Sequence, residues 1–134
     1  MKKLLFTLVV LISFSTFGQT ADKYYNSGYE KAEAKDYYGA ISDYNKAIQL
    51  NPNDTSAYGN RGASKGNLKD YNGAISDYNK AIEIDPNYAD AYNNRSIVKE
   101  LLGDLNGACA DTKKAISLGS NSSENRQWFS QNCN

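Results

Sequence analysis

Hydrophobic side chains recur at helical spacing along most of the chain. Within residues 40–48 they fall at i, i+1, i+4, i+7 and i+8, as Ala40, Ile41, Tyr44, Ala47 and Ile48. This spacing places them on one face of an α-helix. The helix is expected to end at Pro52, because proline has no backbone N–H and biases the preceding residue away from helical geometry. A second helical segment, 56–67, follows Asp54 and Thr55, whose side chains can cap its first turn.

This helical unit is repeated along the chain. The segment AISDYNKAI occurs at residues 40–48 and again, unchanged, at 74–82, and a third version, ACADTKKAI, occupies residues 108–116. The three copies therefore begin at equal intervals along the sequence. One helix pair cannot bury its apolar face alone, so the units are expected to stack. We predict three repeats, at about 21–54, 55–88 and 89–122.

The repeated pattern resembles that of the tetratricopeptide repeat family. Each unit has a tyrosine followed four residues later by a small residue, then A-x3-Y-x2-A, then proline, and this resemblance covers residues 21–122. It implies an all-α fold, an α-solenoid of three helix-turn-helix repeats in a right-handed superhelix, whose first helices line a concave groove. The third unit departs from the pattern at Cys109, Thr112 and Ser120. Terminal repeats are atypical because one face meets no further repeat.

Small residues at fixed places indicate close contact between the helices of a pair. Gly28, Gly62 and Ser96 recur on the first helices, and alanines recur opposite them on the second helices. Glycine within a helix costs about 1 kcal/mol relative to alanine. Its recurrence therefore predicts a steric need at these positions, with tyrosine side chains filling the surrounding space.

The C-terminal segment is predicted to close the stack. Residues 123–132 (SENRQWFSQN) form a capping helix in this interpretation, with Ser122 or Ser123 as N-cap and Phe129 packed inward. When the frame of the repeat is extended, Cys133 lies near the end of this helix and Cys109 at the start of the preceding antiparallel helix. We therefore predict a Cys109–Cys133 disulfide, which suits an exported protein. The alternative is two unpaired thiols.

The N-terminus is typical of a secretory signal peptide. Lys2 and Lys3 precede an apolar run at residues 4–14, and small residues follow it up to Gly18. The run is too short for a membrane span, which needs about 20 apolar residues. We expect a signal peptide at 1–18, with Ala21 as the second choice of cleavage site and an uncleaved anchor as the alternative. The mature chain, 19–134, would be periplasmic or secreted, without a stable membrane anchor.

Charge and composition exclude several classes of function. Without Lys2 and Lys3 the chain has 13 basic and 15 acidic residues, so it carries no basic surface typical of nucleic-acid binding. It contains no histidine, and no glycine-rich phosphate loop or GxSxG motif is present. We therefore predict a non-enzymatic protein with no cofactor and no metal site.

Two rows of charged residues recur with the period of the repeat. Asp43, Asp77 and Asp111 each precede a lysine by three residues. Solvated ion pairs on the helix surface are the expected interpretation of this row. A second row comprises Lys31, Lys65 and Lys99, which we expect to lie over the helix contacts and to pair with nearby acids.

A row of asparagines is the candidate binding site. Asn26, Asn60 and Asn94 recur on the predicted first helices, and each carboxamide offers a donor and an acceptor to an extended peptide backbone. The aromatic residues Tyr25 and Tyr29 would flank one end of this row and Trp128 the other. Three helices about 8–10 Å apart would hold roughly six to eight extended residues. The alternative is that asparagine is a tolerated polar residue on an exposed face.

These observations favour a scaffold that binds a protein or peptide partner in the groove. The branch of the family that clamps a C-terminal carboxylate uses lysine and arginine, whereas the corresponding places here include Tyr25, Tyr29 and Asp90 and no cation. The alternative is a self-associating module, or an accessory subunit of an envelope or secreted complex. Either would use the exposed first helix.

Overall fold

The computed structural model describes residues 20–120 and 122–133. Seven α-helices and no strands occur in these ranges. They are α1 (20–33), α2 (Tyr37–Leu50), α3 (Thr55–Asn67), α4 (Tyr71–Ile84), α5 (Ala89–Leu101), α6 (Leu105–Ser117) and α7 (Ser123–Asn132). The predicted all-α fold is confirmed. The predicted signal peptide, 1–18, lies outside the described residues.

Aspartate caps fix the start of each second helix. The backbone N–H three residues further on donates to the aspartate carboxylate at 2.9–3.0 Å in all three repeats. The residue before each cap lies in the left-handed region, with φ between 62° and 82°. This conformation turns the chain sharply between the two helices of a hairpin. The cap and turn pairs are Lys35 and Asp36, Lys69 and Asp70, and Gly103 and Asp104.

Tyrosine rings fill the contact between the two helices of a pair. Tyr44 is fully buried, and a Cβ atom at Gly28 would lie 2.9 Å from its ring and 3.2 Å from the carbonyl oxygen of Ala40. The predicted close approach at the recurring glycines is therefore present. In the third repeat, two buried residues of intermediate size, Ser96 and Thr112, replace the glycine and tyrosine.

The repeated aspartates are buried rather than solvated. The side chains of Asp43, Asp77 and Asp111 are at most 7% exposed. Their main partners are cations of the first helices, including the predicted lysine row, and not the lysines three residues further on. The interpretation as surface ion pairs was wrong, because these aspartates lie beside the apolar face that packs on the neighbouring helix.

The capping helix is attached covalently and by polar contacts. Cys109 and Cys133 form a disulfide with a Cα–Cα distance of 5.6 Å. Ser122 is the N-cap of α7 and accepts a hydrogen bond from the backbone of Asn125 at 3.0 Å. The carboxamide of Asn125 donates to Asn93 of α5 at 2.7 Å. The predicted cap and disulfide are present, and Phe129 lies half-buried beside the cystine.

Among the described residues, no helix combines the length and apolarity needed to span a lipid bilayer.

Candidate functional site

Two neighbouring cavities open on the surface formed by α1, α3 and α5, which we call the groove. The first lies between α1 and α3 and has a volume of about 220 Å³. We call it the polar cavity. It is lined by Tyr29, Ala32, Glu33, Tyr37, Tyr44, Asn60, Ala63, Ser64 and Asn67.

The second cavity lies between α3 and α5 and has a volume of about 260 Å³. We call it the apolar cavity. It is lined by Ala63, Gly66, Asn67, Tyr71, Tyr78, Asn94, Ile97, Val98 and Leu101. Ala63 and Asn67 of α3 contribute to both cavities, so the two lie side by side along the groove.

The cavities are equivalent positions of successive repeats. Each lining residue of the polar cavity has its counterpart, one repeat later, in the apolar cavity. The shared positions include Asn60 and Asn94, and Tyr44 and Tyr78. The chemistry changes where Glu33 is replaced by Asn67 and where Asn67 is replaced by Leu101. One periodic framework therefore presents two different surfaces.

The wall of the polar cavity includes the hydroxyl group of Tyr44, which is buried. The Tyr44 hydroxyl has no hydrogen bond within the described ranges. Burial raises the pKa of Tyr44, and the nearby Tyr25, Tyr29 and Glu33 raise it further. The group is therefore neutral at physiological pH. A buried polar group without a partner costs about 1–3 kcal/mol, which makes this hydroxyl an unusual feature of the wall.

The three asparagines of the predicted row do not share one environment. Asn60 donates to the Tyr25 hydroxyl at 2.9 Å and thereby links α3 to α1. Asn94 lines the apolar cavity, and its side chain makes no hydrogen bond to any residue of 20–120 or 122–133. Asn26 lies on another part of α1, beside Lys23 and Glu30. The structure therefore brings Asn60 and Asn94 to the groove and leaves Asn26 outside the two cavities.

The predicted aromatic residues also differ in their roles. Tyr29 lines the polar cavity and is 49% exposed. Tyr25 accepts the bond from Asn60 and packs against Tyr44, with ring centroids 5.9 Å apart. Burial raises the pKa of Tyr25, and Asp54 adds to this effect. Trp128 donates its indole N–H to Glu100 at 2.9 Å and lines neither cavity.

The arginines and lysines of α3 and α5 bind buried aspartates, and none of them lines either cavity. Arg61 donates two hydrogen bonds to Asp77, at 2.9 and 2.6 Å, and Lys65 lies 2.8 Å from the same carboxylate. Arg95 and Lys99 bind Asp111 in the same way. The groove side of α3 and α5 consequently displays no free cation.

The arginines also connect successive repeats. Arg61 of α3 donates to Asn45 of α2 at 2.7 Å, and Arg95 of α5 donates to Asn79 of α4 at 2.6 Å. Sequence reasoning missed both contacts. Their signal was present, since the arginines and the asparagines each recur at the same place in the next repeat.

Family comparison agrees with this arrangement of helices. Sequence profiles described as tetratricopeptide repeat match residues 21–54, 55–88 and 77–110. The chain belongs to the tetratricopeptide repeat family. The match at 77–110 begins within α4, out of phase with the other two. No curated protein matches the chain in a sequence comparison.

Solved structures of tetratricopeptide repeat domains are similar to this one. The first such domain of Spaghetti (RPAP3) bound to the HSP90 peptide SRMEEVD has a TM-score of 0.81 and 25% identity, over 85% of this chain and 90% of that chain. The Arabidopsis OM64 domain has a TM-score of 0.82 and 25% identity, over 86% and 95%. The TPR2B domain of yeast Sti1 in complex with pHsp70 has a TM-score of 0.79 and 28% identity, over 84% and 95%.

The acidic side chains of the described residues are the candidates for a metal site. These residues contain no group of three or more His, Cys, Asp or Glu side chains that could hold a metal ion. The buried carboxylates Asp77 and Asp111 each bind two cations of the first helices. What the groove can do chemically is accept side chains and hydrogen-bond to a backbone.

Proposed function

We propose that this protein is a non-catalytic scaffold that binds an extended segment of a partner protein along the groove. The observation that carries the proposal is the pair of cavities, one repeat apart, on the same face of α1, α3 and α5. An extended strand rises about 3.3 Å per residue. Its side chains can therefore enter both cavities while its backbone passes over the carboxamides of Asn60, Asn67 and Asn94.

Similar solved structures support a peptide as the partner. The RPAP3 domain is bound to an HSP90 peptide, and the Sti1 TPR2B domain is in complex with pHsp70. Each covers most of this chain. Binding of this kind requires no chemistry, which is consistent with the absence of histidine from the sequence.

The place of action that we propose is outside the cytoplasm. The apolar run at 4–14, preceded by two lysines, supports export through a signal peptide. The cystine between Cys109 and Cys133 supports an oxidising compartment. N-terminal sequencing of the protein purified from its natural source would test this, with a new N-terminus after Gly18 as the expected result and an intact Met1 as the contrary one.

Blocking the groove tests the binding function. Ala63 contributes to both cavities, so Ala63→Trp should fill them together. Ser76→Trp is a matched control, because Ser76 is exposed on α4 and lines neither cavity. The purified protein is used to select from a phage-displayed library of random octapeptides. We expect enriched peptides that bind the wild type and the Ser76→Trp control but not the Ala63→Trp variant.

Circular dichroism and thermal unfolding of both variants establish that the fold is intact. If folded Ala63→Trp retains every selected peptide, or if no peptide is enriched, the groove is not a peptide-binding site and the proposed function is wrong.

A further inference from the structure

The two cavities differ in chemistry although they occupy the same place in successive repeats. At the position where the polar cavity has Glu33, the apolar cavity has Asn67. Where the polar cavity has Asn67, the apolar cavity has Leu101. A ligand that crosses both repeats therefore meets an acidic surface and then an aliphatic one.

The polar cavity suits a cationic side chain. Glu33 is exposed at its wall and forms no ion pair with any residue of 20–120 or 122–133. The Tyr44 hydroxyl is buried nearby and has no hydrogen-bond partner among the residues that the structure describes. An ammonium or guanidinium group has several donors and no acceptor. It can therefore pair with the carboxylate and donate to hydroxyl and carboxamide oxygens of the same wall.

The apolar cavity suits an aliphatic side chain. Ile97 and Leu101 line it and remain 49% and 61% exposed, and Val98 and the ring of Tyr78 lie behind them. Each of these groups gains about 25 cal/mol per Å² of apolar surface that a ligand removes from water. A cavity of about 260 Å³ has room for the side chain of a leucine, isoleucine or methionine.

The charge of the groove argues against an acidic ligand. Arg61, Lys65, Arg95 and Lys99 are all bound to buried aspartates. The charge in the lining of the two cavities that no cation of the described ranges neutralises is the carboxylate of Glu33. A peptide such as SRMEEVD, which the RPAP3 domain binds, would bring further carboxylates into this surface without a cation to meet them.

We propose that the groove selects a partner segment with one lysine or arginine and one aliphatic residue two or three positions apart. The cation enters the polar cavity beside Glu33, and the aliphatic side chain enters the apolar cavity beside Leu101. The spacing follows from first helices about 8–10 Å apart and a rise of about 3.3 Å per residue. This inference depends on the proposed function, because it specifies the ligand of the same groove.

To test this, the octapeptides selected from the phage library are sequenced. The affinity of one of them for the wild type and for variants is then measured by fluorescence anisotropy. We expect lysine or arginine two or three positions from leucine, isoleucine or methionine. Glu33→Gln should weaken binding of that peptide about five-fold, and Leu101→Asn about ten-fold. Tyr44→Phe should also weaken it while leaving the fold intact, because only the hydroxyl is removed.

Matched peptides assign each effect to its cavity. When the cation of the peptide is replaced by norleucine, Glu33→Gln should no longer matter, whereas Leu101→Asn should still weaken binding. When the aliphatic residue of the peptide is replaced by alanine, Leu101→Asn should no longer matter, whereas Glu33→Gln should still weaken binding. A general loss of protein stability would weaken binding of both modified peptides and would not produce this pattern.

Three results would overturn the inference. The first is that the selected peptides are acidic, or lack the paired residues, and still fail to bind the Ala63→Trp variant. The proposed function would then stand, but the specificity inferred here would be rejected. Peptides with the paired residues whose affinity does not respond to Glu33→Gln and Leu101→Asn reject the assignment to the cavities. If the wild type is a dimer that Ala63→Trp dissociates, a second copy occupies the groove, and both proposals fail.

Discussion

The ring of Tyr78 occupies the space that a side chain at Gly62 would need. A Cβ atom at position 62 would lie 2.9 Å from that ring and 3.2 Å from the Cβ of Asp77. Tyr78 is only 2% exposed, so relief of this contact would require a buried ring to shift. The same relationship joins Gly28 to Tyr44, which makes it a repeated element of the helix contact.

Gly62→Ala is therefore expected to lower the free energy of unfolding by about 1 kcal/mol. Overpacking costs about 1–3 kcal/mol, and the better helix propensity of alanine offsets about 1 kcal/mol of this. Gly66→Ala is the matched control on the same helix, since its Cβ would find its nearest neighbours at 3.9 and 4.0 Å. It should be neutral or stabilising. Urea unfolding of both variants checks this, and equal stabilities would contradict the steric explanation.

The carboxylate of Asp77 on α4 binds Arg61 and Lys65 of α3, across the contact between the two helices of one repeat. Asp77→Asn should lower the free energy of unfolding by about 3 kcal/mol, because it leaves two largely buried cations without their counter-ion. Glu83→Gln is the control, since the Lys80–Glu83 pair is exposed and should contribute less than about 0.5 kcal/mol. Urea denaturation at neutral pH measures the free energy of unfolding of both variants. Similar decreases in the two would show that the buried ion pairs of Asp77 contribute no more to stability than the exposed pair.

Asp43 should make the stability depend on acid pH. Burial alone would raise the pKa of Asp43, but hydrogen bonds from Lys31 and Ser27 outweigh it and hold the pKa below its usual 3.8. The unfolded chain therefore binds the proton more readily, and this stabilisation is present above about pH 4 and lost as the pH falls through the lowered value. Relative to the wild type, Asp43→Asn should be less stable at pH 6, and the difference should shrink below pH 4. A difference that stays constant over this range would contradict the assignment.

The cystine should stabilise the fold through the loop that it closes, since its two cysteines are 24 positions apart in the sequence. On the chain-entropy model this contributes roughly 3–4 kcal/mol. We expect a reducing agent to lower the Tm of the wild type and to leave the Cys109→Ala/Cys133→Ala variant unchanged. Thiol titration of the denatured protein should find two reactive groups only after reduction, and two groups without reduction would exclude the disulfide.

The periodic features of the fold could be predicted from the sequence. The regular recurrence of one segment indicated the helix pairs, and the same frame extended to Cys133 indicated its pairing with Cys109. These predictions succeed because equivalent residues must occupy equivalent places in a stack. Periodicity says nothing about which neighbour a polar side chain selects.

Asn60 and Asp77 illustrate that limit. Asn60 lies at the boundary between the groove and the contact with α1, and only the folded geometry brings one of its N–H groups to the Tyr25 hydroxyl. Asp77 lies next to the apolar face of α4, so its burial depends on how closely α3 packs. The cavities were likewise invisible in the sequence, because each combines residues of three helices.

The bond between Cys109 and Cys133 gives the molecule a mechanical polarity. A pulling force applied to the C-terminus passes through the cystine directly into α6, so α7 cannot peel away ahead of the rest. At the opposite end, within the described residues, α1 is fastened by noncovalent contacts such as those of Lys31 and Tyr25. The C-terminus is thus the more resistant attachment point, and unfolding under a pulling force begins at the hairpin of α1 and α2.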